Sequence, residues 1–302
     1  MVRPSEFRSN EQTASNNKFQ QFQSLKDPEF SEKALLEFDH FVDTLKSKGI
    51  QVVVGIPNDG ADTPDQLFPN NWVSFHHDGR VFMYPMFAAN RRKERREQLL
   101  WALTNEAGIE IDEIVDLTEF EQHKKYLEGT GSMVFDHQNQ KAYAALSDRT
   151  DQRAFELFCE ALSYQAIPFY ADHEVNGKKF PIYHTNVMMS IGESMAIIAA
   201  ESISDEEERT MVLHELKASK RELILISTKQ VDQFAGNVLM VKNEEGFNYM
   251  IMSESAFFAF TPEQIAVISK YAQIISVPLH TIEKLGGGSA RCMIAEVFLP
   301  KI

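Results

Sequence analysis

Cysteine is nearly absent from this chain, which carries only Cys159 and Cys292. Two thiols so far apart make no disulfide framework and suit a reducing compartment, so a cytoplasmic protein is expected. Neither a Cys-X-X-Cys nor a His-Glu-X-X-His spacing occurs, and no metal or other cofactor is expected. Positive charge is short as well. Thirty Lys and Arg face 44 Asp and Glu, for a net charge of −14, which argues against a nucleic-acid partner. The one dense basic stretch, Arg91, Arg92, Lys93, Arg95 and Arg96, reads first as a solvated helix face. Long apolar runs are missing too. Residues 256–260 form a typical one, far below the roughly 20 residues a membrane helix needs. The opening Met-Val-Arg-Pro-Ser-Glu-Phe has no apolar signal core, so no membrane association is expected.

The chain itself is 302 residues long, 43% hydrophobic and 25% charged, an ordinary globular composition that predicts a single domain over residues 1–302. One pattern recurs at intervals of about 50–60 residues: a polar motif, a strand, a turn, a returning strand, a helix and a further strand. The first hairpin runs Trp72-Val-Ser-Phe-His76, turns at His77-Asp-Gly79, and returns as Arg80-Val-Phe-Met-Tyr84. The second is Ser132-Met-Val-Phe-Asp136 with Ala142-Tyr-Ala-Ala-Leu146. The third is Val187-Met-Met-Ser190 with Met195-Ala-Ile-Ile-Ala199, and the fourth is Val238-Leu-Met-Val241 with Tyr249-Met-Ile-Met252. A fifth begins at Cys292 and runs off the C-terminus. Helical spacing of Ala34, Leu35, Phe38, Phe41, Val42 and Leu45 predicts a helix over residues 31–48. Ser204-Asp-Glu-Glu207 and Thr261-Pro-Glu-Gln264 have the form of helix-starting capping boxes. Strands are expected over residues 51–56, 223–227 and 274–277.

Five units that cannot bury their apolar faces alone should share one core. The expected fold is therefore α+β, a closed five-bladed β/α propeller with pseudo-five-fold repeats, the N-terminal segment supplying the strand missing from the last unit. Residues 5–23 are rich in Asn and Gln, yet Phe7, Phe19 and Phe22 predict that this stretch packs.

In such a ring the polar motifs that open each hairpin face a common axis. They read Phe68-Pro-Asn-Asn-Trp72, Glu128-Gly-Thr-Gly-Ser132, His184-Thr-Asn186, Ala235-Gly-Asn237 and Gly286-Gly-Gly-Ser-Ala-Arg-Cys292. Taken singly, each is weak: a buried His is usually satisfied by backbone, and a lone Cys is usually a small core residue. Cys159, inside Phe155-Glu-Leu-Phe-Cys159, fits that second description. A thiol, an imidazole and a carboxylate at corresponding points of one repeat are harder to assign to packing. A thiolate needs a neighbour that favours it, an imidazole supplies acid–base chemistry, and a carboxylate orients the imidazole. Cys292, His184 and Glu128 are accordingly the candidate catalytic set. Glycines 286–288 are expected to leave backbone N–H groups available to developing charge.

These motifs resemble those of the guanidino-group-modifying (pentein) superfamily, which includes arginine deiminase, dimethylarginine dimethylaminohydrolase and the amidinotransferases. The resemblance covers nearly the whole chain and implies the five-bladed fold and a covalent adduct on Cys292, assisted by His184 and Glu128. Ser147-Asp-Arg149-Thr150 resembles a motif whose Arg binds the substrate α-carboxylate, and Arg91 or Arg92 matches the place of a second such Arg. The run Phe68 to His76, Tyr84-Pro-Met86, Asn90-Arg-Arg92 and the Gly286 to Cys292 motif most resemble a bacterial amidinotransferase-like, or citrulline utilization hydrolase, subgroup.

Three carboxylates of arginine-processing relatives are replaced here, by Asn71, Gly131 and Asn186. A desolvated guanidinium would lack counter-charge, whereas amides donate to and accept from a neutral ureido group. That pattern favours citrulline, with Asn70, Asn71 and Asn186 around the reacting group. Asp65 and Glu128 remain and keep arginine or methylated arginine open, as does amidino transfer to an amine. A non-catalytic binding propeller, as in ribosome anti-association factors, is the reading from another class, and it would not need the Cys–His–Glu set. The expected partner is a small amino-acid substrate, with a homo-oligomer possible.

Overall fold

The computed structural model describes residues 1–21, 28–57, 59–175 and 177–301. The first helix, α1 (Pro28–Ser47), buries Ala34, Phe38, Phe41, Val42 and Leu45 along one face, as their spacing predicts, while Leu36 on the opposite face is exposed. Each of the larger ones, Phe38, Phe41, Val42 and Leu45, contributes roughly 1.5–3 kcal/mol by leaving water.

The first unit comprises β1 (Val73–Phe75), β2 (Arg80–Met83), α2 (Glu97–Ala107) and β3 (Glu113–Asp116). β1 and β2 are antiparallel, with Val73 opposite Met83, and β3 returns parallel to β2. The second unit repeats this plan with α3 (Gly129–Ser132), β4 (Val134–Asp136), β5 (Lys141–Ala145), α4 (Gln152–Leu162) and β6 (Gln165–Phe169). A two-stranded hairpin, β7 (Asp172–Val175) and β8 (Lys178–Pro181), is interposed. The third unit has β9 (Met189–Ile191), β10 (Met195–Ile198), α5 (Glu206–Ala218) and β11 (Glu222–Leu225). After α6 (Thr228–Val231) the fourth has β12 (Leu239–Lys242), β13 (Asn248–Ser253), α7 (Glu254–Ala259), α8 (Pro262–Tyr271) and β14 (Gln273–Val277). All four three-stranded sheets have the same order, an antiparallel hairpin followed by a parallel strand.

The helix starts differ in detail. Thr261 makes the expected reciprocal capping box with Gln264. At α5 the cap is Asp205, one residue later than the Ser204 box predicts, because the Asp205 carboxylate accepts from the Glu208 N–H.

The fifth unit departs further. Its last helix, α9 (His280–Gly286), leads into a 3₁₀ turn at Ala290–Met293, so Cys292 lies on a turn and not at the start of a strand. Beyond it, among the described residues, only single bridges form: Val297 lies parallel to Phe75, and Ile109 is opposite Lys301. The strand expected over 51–56 is likewise reduced to one bridge, Val2 with Gly55, flanked by Gly55 N–H to Met1 O and Arg3 N–H to Gly55 O. The N-terminus thus pairs with the chain at Gly55, by this one bridge and its flanking hydrogen bonds. Of the aromatic residues expected to pack the N-terminal stretch, Phe7 is buried and Phe19 nests among Tyr183, His173 and Phe234. Phe22 lies outside the described residues.

Neighbouring units are tied together by a buried ion pair. Arg221, just before β11, grips Asp136 at the end of β4 with both Nη atoms, at 2.6 and 2.7 Å. Removing either partner would cost about 3–5 kcal/mol, since the other charge would be left buried alone. Among the described residues, no helix is long and apolar enough to cross a membrane.

Candidate active site

Each polar motif sits on the short turn just before a hairpin, and these turns pack on one another. The turn Pro69–Asn71 touches both α3 and the Ala290–Met293 turn, and α3 also touches the turn Thr185–Val187. Motifs up to 220 residues apart in sequence thereby meet in one buried polar cluster. Cys292, His184, Glu128, Asn70, Asn71, Asn186, Asp65, Arg91 and Arg149 are all buried.

His184 Nε2 lies 2.7 Å from Glu128 Oε2, while Glu128 Oε1 accepts the Phe87 N–H at 2.9 Å. Arg149 Nη1 stands 3.5 Å from the same Glu128 carboxylate, and Arg91 Nη1 stands 4.0 Å away. Burial works against ionisation of Glu128, but Arg149, His184 and Arg91 together outweigh it and hold the carboxyl down at about 2. Burial also dominates at His184. It lowers the imidazole to about 4 despite the Glu128 bond, so the ring is neutral at pH 7. A neutral ring that gives its Nε2–H to Glu128 keeps Nδ1 as a base.

Gly131 explains why this arrangement has room. A Cβ at position 131 would stand 2.3 Å from Asn71 Nδ2 and 2.8 Å from His184 Nδ1. Any side chain there would displace one of them.

Cys292 Sγ accepts from two carboxamides, Asn186 Nδ2 at 3.4 Å and Asn237 Nδ2 at 3.2 Å. The expectation for glycines 286–288 is corrected at Gly287. Its N–H is donated to Glu283 O to end α9, and its carbonyl is held by Tyr183 Oη at 2.9 Å. That N–H is therefore not available to a substrate.

Arg91 lies inside the cluster, but its donors are already engaged. Nε and Nη2 bind Glu94, Nη2 also reaches Phe68 O, and Nη1 donates to Asn71 Oδ1 at 2.8 Å. Asp65 Oδ2 is 3.6 Å from Arg91 Nε. Arg92, the alternative to Arg91, sits differently. It points away from the cluster, half-buried, and binds Met86 O and Glu121. Arg149 donates to Asn16 Oδ1 and to Thr13 O and lies over the Tyr183 ring. Residues 9–21 thus form a strap across the cluster, reinforced by Asn10 to Asp65 at 2.7 Å and Asn10 with Asn90.

Buried side-chain atoms without a hydrogen-bond partner concentrate here: Asn70 Nδ2 and Oδ1, Asn71 Nδ2, Asn186 Oδ1, Asn237 Oδ1, Asp65 Oδ1 and Asn16 Nδ2. Orphaned polar atoms are costly and mark a place built for a ligand. A cavity of about 730 Å³ lies elsewhere, among hairpin-turn residues such as His77, Gly192 and Asn243. Its polar side chains Arg221, Lys242 and Glu296 are already ion-paired, so the orphaned atoms are the better guide to the site. Sequence reasoning quoted Asn237 only within its motif and did not foresee Tyr183, Glu94 or the Asn10–Asn16 strap. Tyr183 is adjacent to His184, and the Asn-rich composition of the strap was its only other signal.

A family model described as N,N dimethylarginine dimethylhydrolase, eukaryotic, matches residues 3–299. Among solved structures, ArgZ, an arginine dihydrolase from the ornithine–ammonia cycle in cyanobacteria, is similar in its apo form with a TM-score of 0.74 at 15% identity. That match covers all of this chain and 40% of ArgZ, so the chain spans well under half of that protein. The N-terminal domain of ArgZ bound to product gives 0.73 at 16% identity, covering 99% of this chain and 98% of that domain. A dimethylarginine dimethylaminohydrolase adduct with 4-chloro-2-hydroxymethylpyridine gives 0.61 at 15% identity, covering 87% and 90%. At such identities the likeness speaks for the fold. Among curated protein sequences none matches the chain.

Proposed function

Since the chain belongs to the N,N dimethylarginine dimethylhydrolase family, whose members hydrolyse carbon–nitrogen bonds, we propose that its Cys292 attacks the ureido carbon of citrulline and yields ornithine, ammonia and carbon dioxide. The five units would close into one ring-shaped catalytic domain; the four sheets of identical topology and the bridging ends of the chain support that closure.

The observation that carries the substrate choice is the orientation of Asn71. Arg91 Nη1 can only donate, so Asn71 must turn Oδ1 towards it. Its Nδ2 is left free, near His184 and Gly131. Asn71 therefore offers a donor, which suits a ureido oxygen and repels the N–H groups of a guanidinium. The nearby acceptors Asn186 Oδ1 and Asn237 Oδ1 suit the ureido NH₂. Two of the carboxylates are already matched, Glu128 by Arg149 and Glu94 by Arg91.

In this reading the substrate α-carboxylate takes the place of Asn16 Oδ1 on Arg149. The Cys292 proton passes to His184 Nδ1, where Glu128 stabilises the resulting imidazolium, and Sγ bonds to the ureido carbon as the thiolate. Asn71 Nδ2 donates to the oxygen as negative charge develops. The bond from carbon to the ornithine nitrogen breaks as His184 returns the proton to that nitrogen. Water, deprotonated by His184, then cleaves the S-carbamoyl adduct. Carbamic acid leaves and decomposes to ammonia and carbon dioxide, and the proton returns to the thiolate.

One observation favours a second reading, arginine as substrate. Asp65 Oδ1 is buried without a partner and would accept from a guanidinium. Separate incubations with citrulline, arginine and dimethylarginine, followed by product analysis, decide between them. Ornithine and ammonia from citrulline support the proposal. Efficient conversion of arginine, with citrulline left untouched, would overturn it.

A further inference from the structure

We propose that Asn237 is a catalytic residue: together with Asn186 it holds Cys292 Sγ in the thiolate form, from which attack begins. The proposal rests on the reading of Cys292 as nucleophile and goes beyond it, because it assigns the task of favouring the thiolate to carboxamides and not to an imidazolium.

The hydrogen-bond partners of Cys292 Sγ are Asn186 Nδ2 and Asn237 Nδ2, at 3.4 and 3.2 Å, both donors. His184 gives its Nε2–H to Glu128 and is kept neutral by burial, so it supplies no positive charge to the sulfur until it takes the thiol's proton. An anionic acceptor binds an N–H donor more strongly than a neutral one does, so two such donors favour thiolate over thiol. The proton released goes to His184 Nδ1, which holds it for the departing nitrogen.

The geometry fixes which end of Asn237 faces the sulfur. Its Nδ2 also donates to the Asn186 backbone carbonyl at 3.1 Å, so the nitrogen and not the oxygen must lie on that side. The loop carrying Asn237 is pressed onto the turn carrying Asn186. A Cβ at Gly236 would stand 2.3 Å from Val187 O, so only glycine permits that approach. The loop turns through Phe234 at a φ of 62° and is closed by Asn237 N–H to Phe234 O. Asn237 is fully buried, and its Oδ1 has no partner. The bond to Asn186 O gives the nitrogen a structural partner, but it does not account for the orphaned oxygen or for the second bond to the sulfur; a ligand for Oδ1 and a thiolate at Cys292 do.

The test is the pH dependence of iodoacetamide alkylation, read peptide by peptide by mass spectrometry, in wild type, Asn237→Asp and Asn237→Leu. Both variants should move the alkylation midpoint of Cys292 upwards by about one pH unit or more, an approximately tenfold slower reaction on the acid side. Asn237→Asp should move it further, because a carboxylate then faces the sulfur. Cys159, which should stay unlabelled, reports whether each variant is folded. A wild-type midpoint in folded variants overturns the proposal. Should both variants unfold, the wild type decides by itself: its Cys292 midpoint is expected below that of a free model thiol, and one at or above it overturns the proposal. Absence of Cys292 labelling in the wild type at any pH would instead remove the nucleophile assignment, and this proposal with it.

Discussion

Cys159 and Cys292 are the same side chain buried to the same degree, in two regions that treat sulfur in opposite ways. Cys159 sits on α4 among Phe82, Tyr84, Phe155 and Phe158, where burial, with Glu156 adding to it, pushes the thiol up to about 12. Cys292 sits on a turn at the meeting point of the polar motifs, with two amide donors on its sulfur and several unpartnered polar atoms nearby. The first region is an apolar interior in which every group is satisfied by packing. The second keeps amides that its own fold does not satisfy, the expected mark of a site that awaits a ligand. Burial alone therefore says nothing about reactivity; the neighbours of the sulfur do.

The sharpest way to break this comparison is to exchange the roles of the two thiols. Cys292→Ser should abolish turnover with little change in melting temperature. Cys159→Ser should leave kcat/KM within about twofold while costing stability of about 1–3 kcal/mol, since a hydroxyl would be buried among aromatic rings. Steady-state assays and thermal unfolding of both variants measure this; activity retained by Cys292→Ser contradicts the assignment.

The next effect is smaller. Glu128→Gln removes the charge that serves both His184 and Arg149, so kcat should fall by about 10²–10⁴. Stability should fall too, because Arg149 would lose its buried counter-charge.

Asn71→Asp sharpens the comparison within the polar region. It replaces the free donor by an acceptor beside His184, so the ratio of citrulline to arginine kcat/KM should drop by about 10²-fold or more, since an unpaired buried charge costs about 3–5 kcal/mol. An unchanged ratio would remove Asn71 from substrate selection.

The smallest effect concerns acid stability, to which both regions contribute. His76, bonded to Ser74 and ringed by Phe82 and Phe158, is lowered to about 3 by burial, and His184 is lowered to about 4. His137 and His173 are lowered to about 4 as well, again first by burial. In each case the unfolded chain binds the proton more readily, so stability is lost as pH falls from about 6.5 towards 4. Glu94 acts in the opposite sense. Burial, partly offset by Arg91, raises it to about 7, so its contribution is lost as pH rises through that value. Burial raises Glu283 and Glu296 in the same sense. With four histidines against three glutamates, the urea midpoint should decrease between pH 6.5 and pH 4. A constant or rising midpoint would contradict the buried-neutral state of these imidazoles.

Much of the architecture was legible because hairpins and amphipathic helices carry local signals. The four strand pairs fall within a few residues of the alternating runs that predict them, and α1 buries its expected stripe. The fifth unit was not legible as built. The apolar run after Cys292 reads as a strand, yet the chain there makes only isolated bridges. At the site, equivalence of the motifs was enough to bring Cys292, His184 and Glu128 together, because position within a repeat translates into position around an axis. Side-chain direction was not available from spacing. Arg91 and Arg92 are adjacent, and one turns inward to Asn71 while the other binds Glu121 at the edge. Nor does composition disclose that Asn16 would lie on Arg149, a contact across 133 residues.

The most direct test of the central claim is a rapid acid quench of the enzyme mixed with citrulline carrying ¹³C in the ureido carbon, followed by peptide mass analysis. The account predicts a transient labelled carbamoyl group on the Cys292 peptide, formed as ornithine appears, and none on Cys159. Ornithine formation with no labelled adduct on Cys292 at any quench time, or label on Cys159 instead, would contradict it.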